Sequence, residues 1–560
     1  MRLLDKEYAY VKRYREIVDV MVKHGFGYLV DRYGLSPSRH FRGWFKTKPI
    51  REQLILLSEA ERLRLALEEL GPTFIKFGQI LSTRRDLLSE EFIRELSKLQ
   101  DSVPHYGFSE VEKLIKKELG KNIDDIFISF NPEPIASASI GQVHPAKIPD
   151  NRDVVVKVMR PGIEKIIETD LAILLSLARF AEKHIKESKI FNPVGMIEEF
   201  SRIIRQEIDY THEARNADRF FLNFKGSTTV RIPEIFWNYS TKRVLAMEYL
   251  EGIKISDIHQ LEASGFDKKI ISNNFVNAYL KMIFEDNFYH ADPHPGNIFV
   301  ADDGKIIFLD FGMTGYIDPV LKENLINLII AMQQNDIDSF IESLTEMGVV
   351  VDVETQANLL RYRLEDIINR YYSLDVKFID PIMFLKDIID VVIKSNGKIP
   401  TNIMLLSKSL IIMDELSREL DPDHNIADFI EPYASKIFHE RTSASYIIKD
   451  TRKTIWNFIR MVKTFPTRVN HILTKAEKGT LKFELEHRGL DNLIEKLDIV
   501  SNRLSFSIII ASLIVGSSLI IQTGMSPGLL GVPLLGILGF SIAGFLGMGL
   551  LFSIIRSGKW

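Results

Sequence analysis

At 560 residues and 64.3 kDa the chain exceeds what one hydrophobic core usually serves, so two or more folded units are expected. A composition of 46% hydrophobic and 26% charged residues excludes a disordered, collagen-like or coiled-coil chain, and a net charge of -4 gives no global electrostatic reason to bind nucleic acid. The absence of cysteine removes disulfides, thiolate zinc sites, iron–sulfur ligation and a cysteine nucleophile together.

The first residues, Met1-Arg2-Leu3-Leu4-Asp5-Lys6-Glu7, scatter charge where a secretory signal would be apolar, so a cytoplasmic start is expected. Tyr8, Val11, Tyr14, Ile17, Val18, Met21 and Val22 recur at helical spacing and describe an amphipathic helix. Such a helix can lie on a bilayer or on its own protein, and packing on protein is the preferred expectation. Leu54, Leu57, Ile75, Ile80, Phe92 and Leu96 extend the helical pattern, giving a helical extension over 1–119. Strand-like runs follow in 127–159 and 229–250, among them Val154-Val155-Val156-Lys157-Val158 and Val244-Leu245-Ala246-Met247-Glu248-Tyr249. They place a strand-bearing lobe at 120–252. Most of 253–440 reads helical, apart from a hairpin in which Ala301-Asp302-Asp303-Gly304 joins Ile298-Phe299-Val300 to Lys305-Ile306-Ile307-Phe308-Leu309. The expected fold class is α+β, two lobes with a site between them.

Residues 441–503 form a basic juxtamembrane segment; between 452 and 478, Arg452, Lys453, Arg460, Lys463, Arg468, Lys475 and Lys478 face one acid, Glu477, with Trp456, Phe458 and Phe465 interleaved. Membrane contact is expected there. From Leu504 to Ile555 no Asp, Glu, Lys or Arg occurs, and Gln522 to Gly528 divides the stretch into runs of 18 and 27 residues. Each can cross ~30 Å of hydrocarbon as a helix. Arg503, Arg556 and Lys559 flank the pair, so a C-terminal transmembrane hairpin with both ends in the cytoplasm is expected.

The chemistry concentrates in His290-Ala291-Asp292-Pro293-His294-Pro295-Gly296-Asn297 and in Asp310-Phe311-Gly312. A protein-kinase catalytic loop places its Asp five positions before an Asn and is followed by Asp-Phe-Gly beyond a short hairpin. On that pattern Asp292 orients or deprotonates the attacking hydroxyl or water, while Asn297 and Asp310 hold Mg²⁺ against the phosphates of ATP. Lys157, ending an apolar strand-like run, is placed to grip the α- and β-phosphates. Its acidic partner comes from Glu207-Ile208-Asp209-Tyr210-Thr211-His212-Glu213; Asp209 and Glu213 are four apart on one helix face, and spacing leaves the choice open. The backbone at Glu248 and Leu250 falls where a hinge would read adenine. A zinc reading of His290 and His294 fails because Pro293 and Pro295 forbid the helix that would bring them together.

These residues resemble the UbiB/AarF atypical kinases, also called protein kinase-like ATPases. Lys76-Phe77-Gly78-Gln79 is similar to that family's KxGQ motif, and Ala136-Ser137-Ala138-Ser139-Ile140-Gly141 to its alanine-rich nucleotide loop. Glu207-Ile208-Asp209 resembles its ExD motif and His290 to Asn297 its HxDxHPGN motif. The resemblance implies that Lys76 reaches across to Glu207 and Asp209, where a peptide substrate would otherwise lie. It also implies ATP held by Ala136, Ser137, Ala138, Ser139 and Gly141, and a role in ubiquinone or another prenylquinone biosynthesis at the inner membrane. The expected partners are membrane lipid, prenylquinone precursors and quinone-biosynthesis enzymes; a homodimer stays open. No Ala-Pro-Glu follows Asp310, which argues against protein substrates. A nucleotide-switched scaffold without catalysis and a true protein kinase are the alternatives.

Overall fold

The computed structural model describes residues 3–28, 57–82, 84, 87–99, 105–137, 139–185, 192–349, 354–372, 380–395, 397–426, 428–430, 432–433, 490–522, 528–529 and 532–556. The chain divides into two compact units, Met1–Thr442 and Ser443–Trp560. Ala138 and the basic segment from Arg452 to Lys478 lie outside the described residues.

The N-terminal helix Leu3–Met21 is amphipathic as its spacing requires, and it packs on protein: Ile17, Val18 and Val20 are buried. Arg13 fastens it, donating to the fully buried Asp170 at 2.7 Å and to the Leu70 carbonyl at 2.6 Å. Helix Glu59–Leu70 starts at a capping box in which Ser58 and Glu61 satisfy each other's backbone N–H. Gly71, at φ 94°, then turns the chain, and Pro72 opens helix Pro72–Leu81, whose fixed φ suits a first helical position. This corner aims Lys76.

The strands of the first unit are β1 (Ser129–Phe130), β2 (Ala136–Ser137), β3 (Gly141–Lys147), β4 (Asp153–Met159), β5 (Val230–Arg231), β6 (Val244–Glu248), β7 (Ile253–Lys254), β8 (Phe288–His290), β9 (Ile298–Val300), β10 (Ile306–Phe308) and β11 (Thr314–Tyr316). An antiparallel sheet of order β1-β3-β4-β6, with β2 paired to β3, forms the first lobe. Strand alternation decides what β4 presents: Val154, Val156 and Val158 are fully buried on one face, which leaves Val155 and Lys157 on the other. Helices Ile163–His184, Pro193–Glu207 and Tyr210–Asn223 connect β4 to the rest.

The lobes interlock in sequence. Although β5 lies within the span assigned to the first lobe, it pairs in parallel with β10, in a sheet of order β5-β10-β9-β7, because Ile306 and Ile307 find their partners in Val230 and Arg231. The second lobe is built on the buried helix Lys268–Phe284, with β8 paired to β11 beside it. Helix Thr401–Leu420 packs along Lys268–Phe284, and Ser272 donates to the Ser417 carbonyl at 3.2 Å.

In the second unit, helices Leu490–Gln522 and Leu534–Arg556 pack on each other as a hairpin. Small residues permit the approach: a Cβ on Gly536 would fall 2.5 Å from Ile521, one on Gly539 would overlap the Ser517 hydroxyl, and Ser517 and Ala543 are buried. Val500–Gln522 and Leu534–Phe552 have mean hydropathies of 2.4 and 2.1, yet only 6% and 11% of their apolar windows are buried. The second helix begins five residues after the apolar run does, because Gly528–Leu529 pairs with Val532–Pro533 and Pro533 has no N–H to donate to a preceding turn.

Removing the clasp of the N-terminal helix tests its role. Arg13→Ala leaves the Asp170 carboxylate buried without its cation, and is expected to cost about 3 kcal/mol, read as a lowered urea midpoint.

Candidate active site

Lys157 Nζ donates to both carboxylate oxygens of Glu213 at 2.9 and 2.8 Å, and Glu213 is buried on helix Tyr210–Asn223. Of the two acids left open by spacing, the structure selects Glu213, which is absent from the site residues taken from the family motifs. Asp209 does not share its face: the chain breaks between Pro193–Glu207 and Tyr210–Asn223, and Asp209 caps the second helix, accepting from Thr211 N at 3.1 Å and Thr211 Oγ1 at 2.7 Å. An N-cap residue has extended backbone, which turns its side chain back on its own helix.

Burial by itself would lower the Lys157 pKa, but the Asp310 and Glu213 carboxylates overcome that penalty and hold it well above the ordinary lysine value. Burial pushes Glu213 upward, against the pull of Lys157. Lys157 draws Asp310 below the ordinary aspartate value despite desolvation, and Lys76 adds to the effect. Asp310 itself is exposed, at φ 56°, with its Oδ1 accepting from Gly312 N at 3.1 Å. A carboxylate kept ionised and open to solvent suits a hard cation.

The same helix reaches the Asp-Phe-Gly segment. Asn216 Nδ2 donates to the Phe311 carbonyl at 2.9 Å, and the fully buried Phe311 ring sits 5.2 Å from Phe220 and 5.8 Å from His290. His290 holds the catalytic loop: its Nε2 faces the Leu309 carbonyl at 3.0 Å and its Nδ1 accepts from Asp292 N at 3.3 Å, which places the proton on Nε2. Tyr279 Oη donates to the His290 carbonyl, and His294 Nδ1 accepts from Gly296 N at 3.1 Å. Both histidines are thus occupied with backbone groups. Asn297 Nδ2 reaches the Asp292 carbonyl at 3.4 Å, and Lys408 Nζ lies 3.5 Å from Asp292 Oδ1.

Lys76 Nζ pairs with Glu207 Oε1 at 2.6 Å, while Asp209 is committed to Thr211. Gly78 is what lets this helix close: a Cβ there would lie 2.8 Å from Leu67 Cδ1 and would overlap Leu99. Gln79 donates to the Leu99 carbonyl at 3.1 Å, so the motif's glycine and glutamine both dock the helix that carries its lysine.

Ala136 and Ser137 form β2 and Gly141 opens β3, with Ser139 buried between them. Gly141 admits the Tyr210 ring, since a Cβ would overlap its hydroxyl and sit 2.5 Å from the Val158 carbonyl. The Ser137, Ser139 and Tyr210 hydroxyls are buried with no hydrogen-bond partner among the described residues. Buried donors rarely stay unpaired, so these are groups a polar ligand would satisfy. Glu248 N donates to the Glu234 carbonyl at 2.9 Å and its Oε1 accepts from Arg231 at 2.7 Å, so the sheet engages both its N–H and its side chain. Leu250 follows β6, half-buried. Glu213, Asn216 and Lys408 escaped the motif reading; only Glu213 carried a signal, as an acid one turn beyond Asp209.

Glu213→Gln preserves shape and removes the charge paired with Lys157. The raised Lys157 pKa stabilises the fold at all pH below the unfolded lysine value of about 10.4, and that contribution fades as pH rises through the higher folded value. Glu213→Gln is therefore expected to lower the thermal midpoint throughout pH 6–10, at a cost of about 3 kcal/mol, measured by circular dichroism melts.

Three family models match the chain: the ABC1 atypical kinase-like domain over residues 98–344, the UbiB helical domain over 364–425 and the ABC1/UbiB kinase-like C-terminal domain over 488–556. The chain is 34% identical to an uncharacterized protein in the hydrogenase 1 5′ region of Clostridium pasteurianum, an alignment covering 98% of this chain and 99% of that one. It is 34% identical to a probable protein kinase UbiB of Marinobacter nauticus, covering 83% and 85%. A chloroplastic protein of Arabidopsis thaliana, ACTIVITY OF BC1 COMPLEX KINASE 8, is 30% identical over 91% of this chain and 71% of its own length. With its kinase-like lobes, its helical domain and its C-terminal hairpin all matched, the chain belongs to the UbiB-like family of ABC1 atypical kinases.

Proposed function

We propose that this protein is a membrane-anchored, Mg²⁺-dependent atypical kinase that couples ATP hydrolysis or phosphoryl transfer to the biosynthesis of ubiquinone or another prenylquinone. The observation that carries the reading is the Lys157–Glu213 pair set against an ionised Asp310, with Asp292 and Asn297 on one ordered loop. Lys157 would hold the α- and β-phosphates, and the unpartnered Ser137 and Ser139 hydroxyls supply donors to the same ligand. Asn297 and Asp310 would ligate Mg²⁺. No cluster of three His, Asp or Glu able to hold a metal occurs among the described residues, so phosphate and water oxygens would complete the shell, as Mg²⁺ prefers. Bound Mg²⁺ supplies charge neutralisation at the phosphates; Asp292 accepts the acceptor's proton.

The segment after Asp310 supports a small acceptor or water. Thr314–Tyr316 pairs back onto β8, and Asp318 caps helix Pro319–Gln333 at once, accepting from Val320 and Leu321 N at 2.9 Å. A peptide platform has no length in which to form. Lys76, tied to Glu207, further occupies the approach. The exposed apolar hairpin is the proposed anchor, holding the first unit at a membrane where prenylquinone precursors reside and where quinone-biosynthesis enzymes would meet it.

Two measurements test this. The full chain in anionic liposomes is expected to turn over Mg²⁺-ATP, with labelled γ-phosphate recovered in water or lipid and the rate reduced at least about 100-fold in Asp310→Asn; label in added protein overturns the acceptor assignment. The chain is also expected to float with liposomes after alkaline carbonate washing, and recovery in the wash would refute the anchor.

A further inference from the structure

The catalytic loop lacks a cation. From His290 to Asn297 the sequence has neither Lys nor Arg, although negative charge concentrates on the phosphoryl group transferred beside Asp292. In the phosphoryl-transfer reading Lys157, paired with Glu213, holds the α- and β-phosphates, and Lys76 is paired with Glu207. Near Asp292 itself, the structure puts Lys408, whose Nζ is 3.5 Å from Asp292 Oδ1.

Lys408 comes from helix Thr401–Leu420, outside the kinase-like lobes' matched region and inside the helical domain. Its helix is held in place: Ser407 and Ser409 on either side are buried, and Ser272 of the neighbouring helix donates to the Ser417 carbonyl at 3.2 Å. The side chain, by contrast, is 35% exposed and its partner Asp292 is 34% exposed. An ion pair so open to water contributes little to stability, and a fixed stem with a solvent-facing head is what a ligand contact requires.

We infer that Lys408 is a catalytic residue, a cation delivered in cis by the helical domain onto the outermost phosphate of the bound nucleotide. The inference rests on the phosphoryl-transfer reading above. In the step it serves, the acceptor hydroxyl or water gives its proton to Asp292 and its oxygen bonds to the γ-phosphorus. The bond from that phosphorus to the β,γ-bridging oxygen breaks, and its electron pair leaves on ADP. Lys408 neither gains nor loses a proton; it offsets the charge spread over the equatorial oxygens, as an arginine finger does in other phosphoryl-transfer enzymes.

The test compares binding of ADP alone with binding of ADP plus aluminium fluoride, a planar mimic of the transferred group, to the full chain in liposomes with Mg²⁺. Lys408→Met is expected to weaken the fluoride complex about 10-fold or more while ADP affinity stays within about 2-fold, and to lower kcat about 100-fold. Lys408→Arg should recover part of both, and an unchanged melting midpoint shows that Lys408→Met folds. If Lys408→Met binds the fluoride complex as the unaltered chain does, or loses ADP equally, the inference is overturned and the phosphoryl reading stands. If the unaltered chain fails to bind ADP, that reading falls and takes the inference with it.

Discussion

The ion pair between the half-buried Lys157 and the buried Glu213 is the constraint around which the first unit is arranged. A lone buried ammonium is so costly that β4 and helix Tyr210–Asn223 must stay in register for the fold to survive. That helix then transmits its position. Through Asn216 and Phe220 it grips Phe311, and so fixes Asp310 relative to Lys157. One helix therefore sets the distance between the Lys157 ammonium and the Asp310 carboxylate.

The helical extension belongs to this arrangement rather than decorating it. Gly71 turns the chain, Gly78 allows close packing and Arg13 locks the N-terminal helix to Asp170, all of which serve to bring Lys76 to Glu207. Lys76 also contributes to the low pKa of Asp310, so the extension reaches electrostatically to that carboxylate. Adding a methyl at Gly78 would disturb the placing of Lys76 through packing alone.

The loop from His290 to Asn297 is ordered by hydrogen bonds, chiefly from His290 and Tyr279, and Lys408, on a helix more than a hundred residues later, lies 3.5 Å from Asp292. The connection from the Asp-Phe-Gly triplet to helix Pro319–Gln333 is short and holds only β11.

The sequence by itself determined the two-lobe α+β plan, the loop from His290 to Asn297, the Asp310 triplet, Lys157 on its strand and the apolar hairpin, because each is written as local periodicity or fixed spacing. Tertiary structure decided what depends on contacts between distant segments. It chose Glu213 over Asp209, because a helix break made Asp209 a cap; it moved β5 into the second lobe's sheet; and it began the second hairpin helix after Pro533. Lys408 lies beyond any motif because its meaning comes from Asp292, and only the packing of Thr401–Leu420 against Lys268–Phe284 brings the two within reach.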